Sequence, residues 1–171
     1  MGTNEPIKVF LDSSVLRVFM LGNNKTAYLV WWPLINCPIQ IVLSSYTLSE
    51  TLASLAESDV PPKARIAVLM GVSTGLSQAN WHVRLPEPDF ASVKAMEKYC
   101  RDPNDWPVLA DALVERCEFV VTTDNDLLDM GEEGPITCIR PEALQTLLEN
   151  DPAIQDVLRG IADASEPSPT L

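Results

Sequence analysis

Asp105 and Asp124 are the residues whose type and spacing first point to chemistry in this chain. They bracket the stretch from Asp102 to Met130, DPNDWPVLADALVERCEFVVTTDNDLLDM. Val108, Leu109, Ala112 and Leu113 recur at helical spacing, while Asp111, Glu115 and Arg116 fall on the other face. Pro107 is tolerated because it sits in the first turn. Phe119, Val120 and Val121 then form a short apolar run suited to a strand covered on both faces, and it ends at Thr122-Thr123-Asp124-Asn125-Asp126. A helix followed by a strand brings the helix start and the strand end to one edge of a sheet. The two carboxylates can therefore meet where open α/β sheets place their ligands. A carboxylate pocket there can hold a divalent cation that bridges protein to phosphate.

The charge balance agrees with that chemistry. Twelve basic against twenty-four acidic residues leave a net charge of −12, which argues against holding nucleic acid through a broad basic surface. It does not argue against cutting nucleic acid through bridging metal ions. At 171 residues and 46% apolar composition the chain supports one domain with a proper core and is not compositionally disordered. No apolar run reaches the length of a membrane span, and MGTNEPIKVF lacks the shape of a signal peptide, so a cytoplasmic protein without membrane contact is expected. Cys37, Cys100, Cys117 and Cys138 are widely spaced and His82 is the lone histidine, which speaks against a zinc site and for reduced, mostly core thiols.

The elements that must position the acids read as alternating strands and helices. Ile7–Leu11 is a first strand, and Asp12-Ser13-Ser14 opens a helix through Met20. Asp12 thus stands at a strand end, where it can serve a site or simply cap the helix. Tyr28, Trp31 and Trp32 follow, read as packing or interface residues in preference to a stacking platform for bases. Ile39–Leu43 is a second strand, followed by a helix whose apolar face is read as Leu48, Leu52, Leu55 and Ala56. Glu50 lies in this helix and, with Thr47, also fits a capping box. Lys63–Leu76 is a helix with Ile66, Leu69 and Met70 inward, Trp81–Leu85 a third strand, and Asp89–Arg101 a helix packed through Phe90, Val93 and Met96. Leu127-Leu128 and Gly131–Pro135 read as loop, Ile136–Ile139 as a last strand and Pro141–Leu148 as a helix. The expected fold is a three-layer α/β/α arrangement on a central parallel sheet. It forms one domain over residues 1–150, and 151–171 are expected as a short helix and a disordered tail.

The pattern Asp105-x-x-Val-x-Ala-x-Ala, followed by Val-Val-Thr-x-Asp-x-Asp-Leu-Leu, resembles the C-terminal signature of PIN-domain ribonucleases of the toxin-like VapC/PilT N-terminus type. The resemblance runs from Ile7 to about Leu148, with Trp106-Pro107 as a local departure. It implies a site of Asp12, Glu50, Asp105 and Asp124 acting on RNA, with these four and Asp126 as ligands of Mg²⁺ or Mn²⁺. Several carboxylates in one pocket repel one another, and hard cations with oxygen ligands relieve that repulsion. Such ions can activate water and stabilise the leaving 3′-oxygen. Ser13 and Thr122 are read as hydrogen-bond donors to phosphate or carboxylate, and Asp102 as a turn cap before Pro103. The resemblance further implies an antitoxin protein as partner and a homodimer. Two other readings stand beside it: a PIN-fold binding or assembly module with weak or no nuclease activity, and a receiver-like phospho-acceptor. The latter wants a lysine at a late strand end, and the chain has none between Phe119 and Leu148.

Overall fold

The structure, a computed structural model, describes residues 6–20, 39–57, 61–77 and 80–150, together with 152 and 155. Five short strands, β1 (Ile7–Leu11), β2 (Ile39–Ser44), β3 (Trp81–Arg84), β4 (Phe119–Val121) and β5 (Thr137–Ile139), form one sheet in the order β3-β2-β1-β4-β5. Every pairing is parallel, with Phe10 opposite both Val42 and Val120, Ser44 opposite Arg84, and Val121 opposite Ile139. The chain winds outward from β1 to β3, then returns to β4 and winds outward the other way. The gap between the ends of β1 and β4 is therefore the switch point of a doubly wound sheet.

Strand periodicity sorts the core into two layers. Val9, Leu11, Ile41, Leu43 and Val121 point to one side, where they meet Val15 and Leu16 of α1 (Ser13–Met20), Leu55 of α2 (Ser45–Glu57) and Leu144 and Leu148 of α7 (Pro141–Asn150). Phe10, Val42 and Val120 point to the other side. There they meet Val108, Leu109 and Ala112 of α5 (Trp106–Val114), Met96 and Leu127. The three-layer α/β/α arrangement expected from the strand–helix alternation is the one observed. Helix α5 ends in a Schellman turn, with Cys117 N–H on the Ala112 carbonyl at 2.9 Å and Arg116 N–H on Leu113 at 3.0 Å. Arg116 takes the left-handed conformation there, at φ 57°, without the help of a glycine.

Several helix phases differ from those read in the sequence. On α3 (Pro62–Leu76), Ile66, Leu69 and Met70 face outward and are each at least half exposed. On α2 the buried stripe is Thr47, Thr51 and Leu55, while Leu52 and Ala56 are exposed. The threonines can turn inward because their hydroxyls find partners: Thr51 donates to the Thr47 carbonyl at 2.7 Å. The helix expected over 89–101 is shorter: α4 (Phe90–Lys94) runs into a 3-10 turn (Ala95–Lys98), and Phe90 is exposed. The segment read as loop after Asp126 contains helix α6 (Asn125–Leu128) and a 3-10 turn (Gly131–Glu133). Tyr28, Trp31, Trp32 and Cys37 lie outside the described residues. No helix among the described residues is long and apolar enough to cross a membrane.

Candidate active site

Asp12 is the anchor of the site. It follows the last residue of β1 and its N–H continues the ladder to the Val121 carbonyl at 3.1 Å. The residue is buried, with only 4% relative exposure. Oδ1 accepts the Ser13 N–H at 2.7 Å, and Oδ2 accepts the Ser14 hydroxyl at 2.6 Å and the Thr122 hydroxyl at 2.8 Å. Three donors satisfy the carboxylate, yet none carries a charge.

Ser14 and Thr122 lock the ends of β1 and β4 together across the switch point. The Ser14 hydroxyl accepts the Thr123 N–H at 3.0 Å, and the Thr122 hydroxyl accepts the Asp124 N–H at 2.9 Å. Asp124 is held at the start of α6, where its Oδ1 accepts the Asp126 N–H at 2.7 Å as a helix cap. The cap uses one oxygen. Sequence reasoning chose Ser13 and Thr122 as donors; Thr122 donates as expected, but the second hydroxyl is that of Ser14. Spacing alone cannot tell adjacent serines apart at a helix start.

Asp105 reaches the same place from α5. It occupies the N-cap position, but its side chain makes no cap bond. The turn before it is built by Asp102, whose carboxylate accepts the Asn104 N–H at 2.9 Å and whose carbonyl accepts the Asp105 N–H at 3.1 Å. Asp102 is thus a turn cap, as its place before Pro103 predicts. Burial pushes the Asp105 carboxyl up to about 7, and the nearby negative charges of Asp124, Asp12 and Asp102 push the same way. The Cys100 thiol, 3.6 Å from Asp105 Oδ2, partly offsets this. That thiol is itself pushed up to about 11, chiefly by burial, so it stays protonated and acts as a donor.

Glu50 and Asp126 stand at the margins. The cap of α2 runs through Ser44, whose hydroxyl accepts the Thr47 N–H at 3.2 Å. Thr47 lies inside the helix and Glu50 in its second turn, so the capping box read in the sequence does not form. Glu50 is half-buried and one helical turn from Tyr46, whose hydroxyl donates to the Asn104 carbonyl at 2.9 Å. Burial raises the Tyr46 pKa, and the charges of Glu50, Asp105, Asp102 and Asp12 raise it further. Tyr46 therefore feels Glu50 together with the other acids. Asp126 Oδ1 is taken by Arg101 at 2.6 Å. Tyr46 and Cys100 were missed because neither belongs to a recognisable motif; their roles come from contacts across the fold.

Among the described residues, none of Asp12, Asp105 and Asp124 is paired with a lysine or arginine. The oxygen-only donors suit a hard cation such as Mg²⁺ or Mn²⁺, and the protonated Cys100 is a poor ligand for a soft one. Among the described residues no three of these groups already form a finished metal-ligand set. Ligation would have to draw the carboxylates inward.

Fold and site together define a doubly wound α/β protein with acidic residues at its switch point. The PIN domain family matches residues 8–126, which include all five candidate acids, and the chain belongs to that family. PIN domains are generally nucleases that use divalent metal ions. No curated protein shows significant sequence similarity to the chain. Among solved structures, PAE2754 from Pyrobaculum aerophilum is similar with a TM-score of 0.61 at 15% identity, covering 87% of this chain and 95% of that one. The Rickettsia felis VapBC2 structure, bound to a DNA fragment from its promoter, is similar with a TM-score of 0.55 at 14% identity, covering 78% and 98%. The Mycobacterium tuberculosis VapC20 structure, a sarcin–ricin loop cleaving toxin, is similar with a TM-score of 0.51 at 15% identity, covering 69% and 91%. At these identities the likeness is one of fold.

Proposed function

We propose that the chain is a Mg²⁺- or Mn²⁺-dependent endoribonuclease, with Asp12, Glu50, Asp105 and Asp124 as the acidic site and Asp126 at its edge. What supports this reading is that Asp124 and Asp12 both act on Asp105 and that, among the described residues, none of the three is paired with a lysine or arginine. A bound divalent ion supplies Lewis acidity towards the phosphate and its attacking and leaving oxygens. The chain supplies the rest. Ser13 N–H, Ser14 and Thr122 hold Asp12 in place and leave one Oδ1 lone pair for an ion. Asp124 keeps Oδ2 uncommitted while Oδ1 caps α6. Asp105, titrating about neutrality, can hold or release a proton beside the reacting group. Glu50, half-buried on α2, has the role of orienting water in this reading. The nuclease unit occupies residues 1–150 in this reading, with a cytoplasmic setting.

Asp124→Asn separates a ligand from a cap. Asparagine keeps the cap on α6 but removes a charge. We expect RNA cleavage in Mg²⁺ or Mn²⁺ to fall at least about 100-fold, in line with the several kcal/mol such charge stabilisation contributes. The melting temperature in chelator should stay within a few degrees of the wild type. Continued cutting by the variant would remove Asp124 from the site. A wild-type chain that cuts no RNA with either metal would favour the binding-module reading.

The proposed partners are an antitoxin protein and a second copy of the chain. The fold likeness to the VapBC2 complex supports the first. The outward stripe of Ile66, Leu69 and Met70 on α3, with Leu52 of α2 also exposed, supports self-association. Sedimentation of the isolated chain should show a dimer, and Ile66→Glu/Met70→Glu should convert it to monomer. A wild-type monomer at high concentration would sink the homodimer.

A further inference from the structure

The segment between β3 and α5 carries charge and aromatic surface that the acidic pocket does not use. Lys94, Lys98 and Arg101 fall within eight residues of a chain that has only 12 lysines and arginines, and all three are exposed. Two half-buried rings lie among them. The Lys94 ammonium is 5.4 Å from the centre of the Trp106 ring, and the Lys98 ammonium is 4.5 Å from that of Tyr99. Trp106 is fixed in place by its indole N–H, which donates to the Cys100 carbonyl at 2.8 Å, and it is the next residue after Asp105. Arg101 reaches Asp126 on α6 at 2.6 Å, two residues after Asp124. Among the other cations, Arg140 donates to Asn125 Oδ1 at 3.0 Å at the start of α6, while two more are turned away from the acids. Arg84 is closed into Asp111 and Glu115, and Lys8 reaches the Glu115 carbonyl at the opposite edge of the sheet.

We propose that this surface, from Lys94 and Trp106 through Lys98 and Tyr99 to Arg101, is the docking track for an unpaired RNA strand entering the acidic pocket. This rests on the ribonuclease reading above. Rings that are partly exposed and flanked by ammonium groups can take a base on the ring and a phosphate on the cation. A base inside a duplex cannot reach them, so the track selects unpaired strands. Arg101 is the phosphate contact beside the cut. Its pair with Asp126 is solvent-exposed, and such pairs exchange readily for another anion. Glu97 sits on Lys94 at 2.7 Å, and Asp89 is turned back to cap α4 through Ser92. The track is therefore close to neutral in a strongly acidic chain. Binding should depend on stacking as much as on charge.

The test follows binding of a labelled short single-stranded RNA to the full chain by anisotropy, in chelator so that nothing is cut. Lys98→Gln/Arg101→Gln should weaken binding about 5-fold or more and flatten the dependence of log K on log salt by about 1.4, for two lost single-strand phosphate contacts. Tyr99→Leu should weaken binding at least about 5-fold through the lost stack. Lys63→Gln/Arg65→Gln on α3 should leave it unchanged, and a duplex should not compete. Circular dichroism melts keep a folding defect apart from a binding defect. Equal binding by the Lys98/Arg101 variant and the α3 control overturns the track, as does full competition by duplex. A wild-type chain that binds no RNA but captures a protein partner overturns it too. If the variants lose binding while the wild type never cuts with metal, the track stands and the ribonuclease reading fails. If the wild type cuts and the variants bind normally, the reverse holds.

Discussion

Asp111 and Asp12 are both almost fully buried aspartates, at 1% and 4% exposure, and they are satisfied in opposite ways. Asp111 lies on α5 against the end of β3, where Arg84 Nε meets its Oδ1 at 2.8 Å and Arg84 Nη1 meets Glu115 at 3.0 Å. His82 adds an outer contact to Glu115 at 3.6 Å. Burial still raises the Asp111 pKa, while Ser44 and Arg84 hold it down. Its Oδ2 has no hydrogen-bond partner in the structure, and Arg84 is the cation that faces it. Asp12 accepts from two hydroxyls and an amide, and among the described residues no cation pairs with it. Neutral donors satisfy geometry without cancelling charge. The uncancelled charge adds, after burial and Asp124, to the upward push on Asp105. In one cluster the charge is answered by a cation of the protein itself. The other is left electrostatically open at the edge where ligands enter.

The largest effect that separates the two clusters comes from removing the cation. Arg84→Met should leave Asp111 buried without a counter-charge and destabilise the chain by about 3–5 kcal/mol. Asp111 would then protonate to escape, so the deficit should shrink as the pH falls. Denaturant titrations at pH 5 and pH 8 read this directly. A loss under about 1 kcal/mol at pH 8 would show that the fork behaves like an exposed ion pair and contributes little. The comparison with the open site would then fail, because neither cluster would need its counter-charge.

Much of the fold was legible because strands buried on both faces write themselves as apolar runs. Ile39–Leu43 and Phe119–Val121 are such runs, and their order with the helices fixes the sheet edge on which Asp105 and Asp124 meet. Helix facing was harder to read. The stripe of Ile66, Leu69 and Met70 looks like a core face by periodicity, but periodicity does not say what covers it. Asp111 was assigned to the solvent side of α5 because a charged residue is seldom buried, and its partner Arg84 lies 27 residues away on a different strand. The same limit hid the site's supports. Ser14 to Thr123 spans 109 residues and Tyr46 to Asn104 spans 58, and no local pattern encodes contacts of that length. Asp126 shares its neighbours' motif, yet Arg101 occupies it, which only the folded arrangement reveals.

A smaller effect of opposite sign tests the open cluster. The Asp105 carboxyl rises from an ordinary value of 3.8 to about 7, through burial first and then through Asp124, Asp12 and Asp102. Between those values the folded chain binds a proton that the unfolded chain does not. Stability therefore falls as the pH rises through that window, and the penalty is complete above the folded value. Asp105→Asn removes the titrating charge and keeps the volume. In chelator the variant should match the wild type near pH 4 and exceed it by about 1–2 kcal/mol at pH 8, a figure reduced because the half-exposed carboxyl is partly screened by solvent. Mn²⁺ should narrow or reverse the gap, since only the wild type gains the full binding free energy. Melts over pH 4–8, with chelator and with Mn²⁺, decide the matter. If the two proteins run parallel at every pH in chelator, the acids do not press on one another, and the pocket holds no unmet charge for a metal to answer.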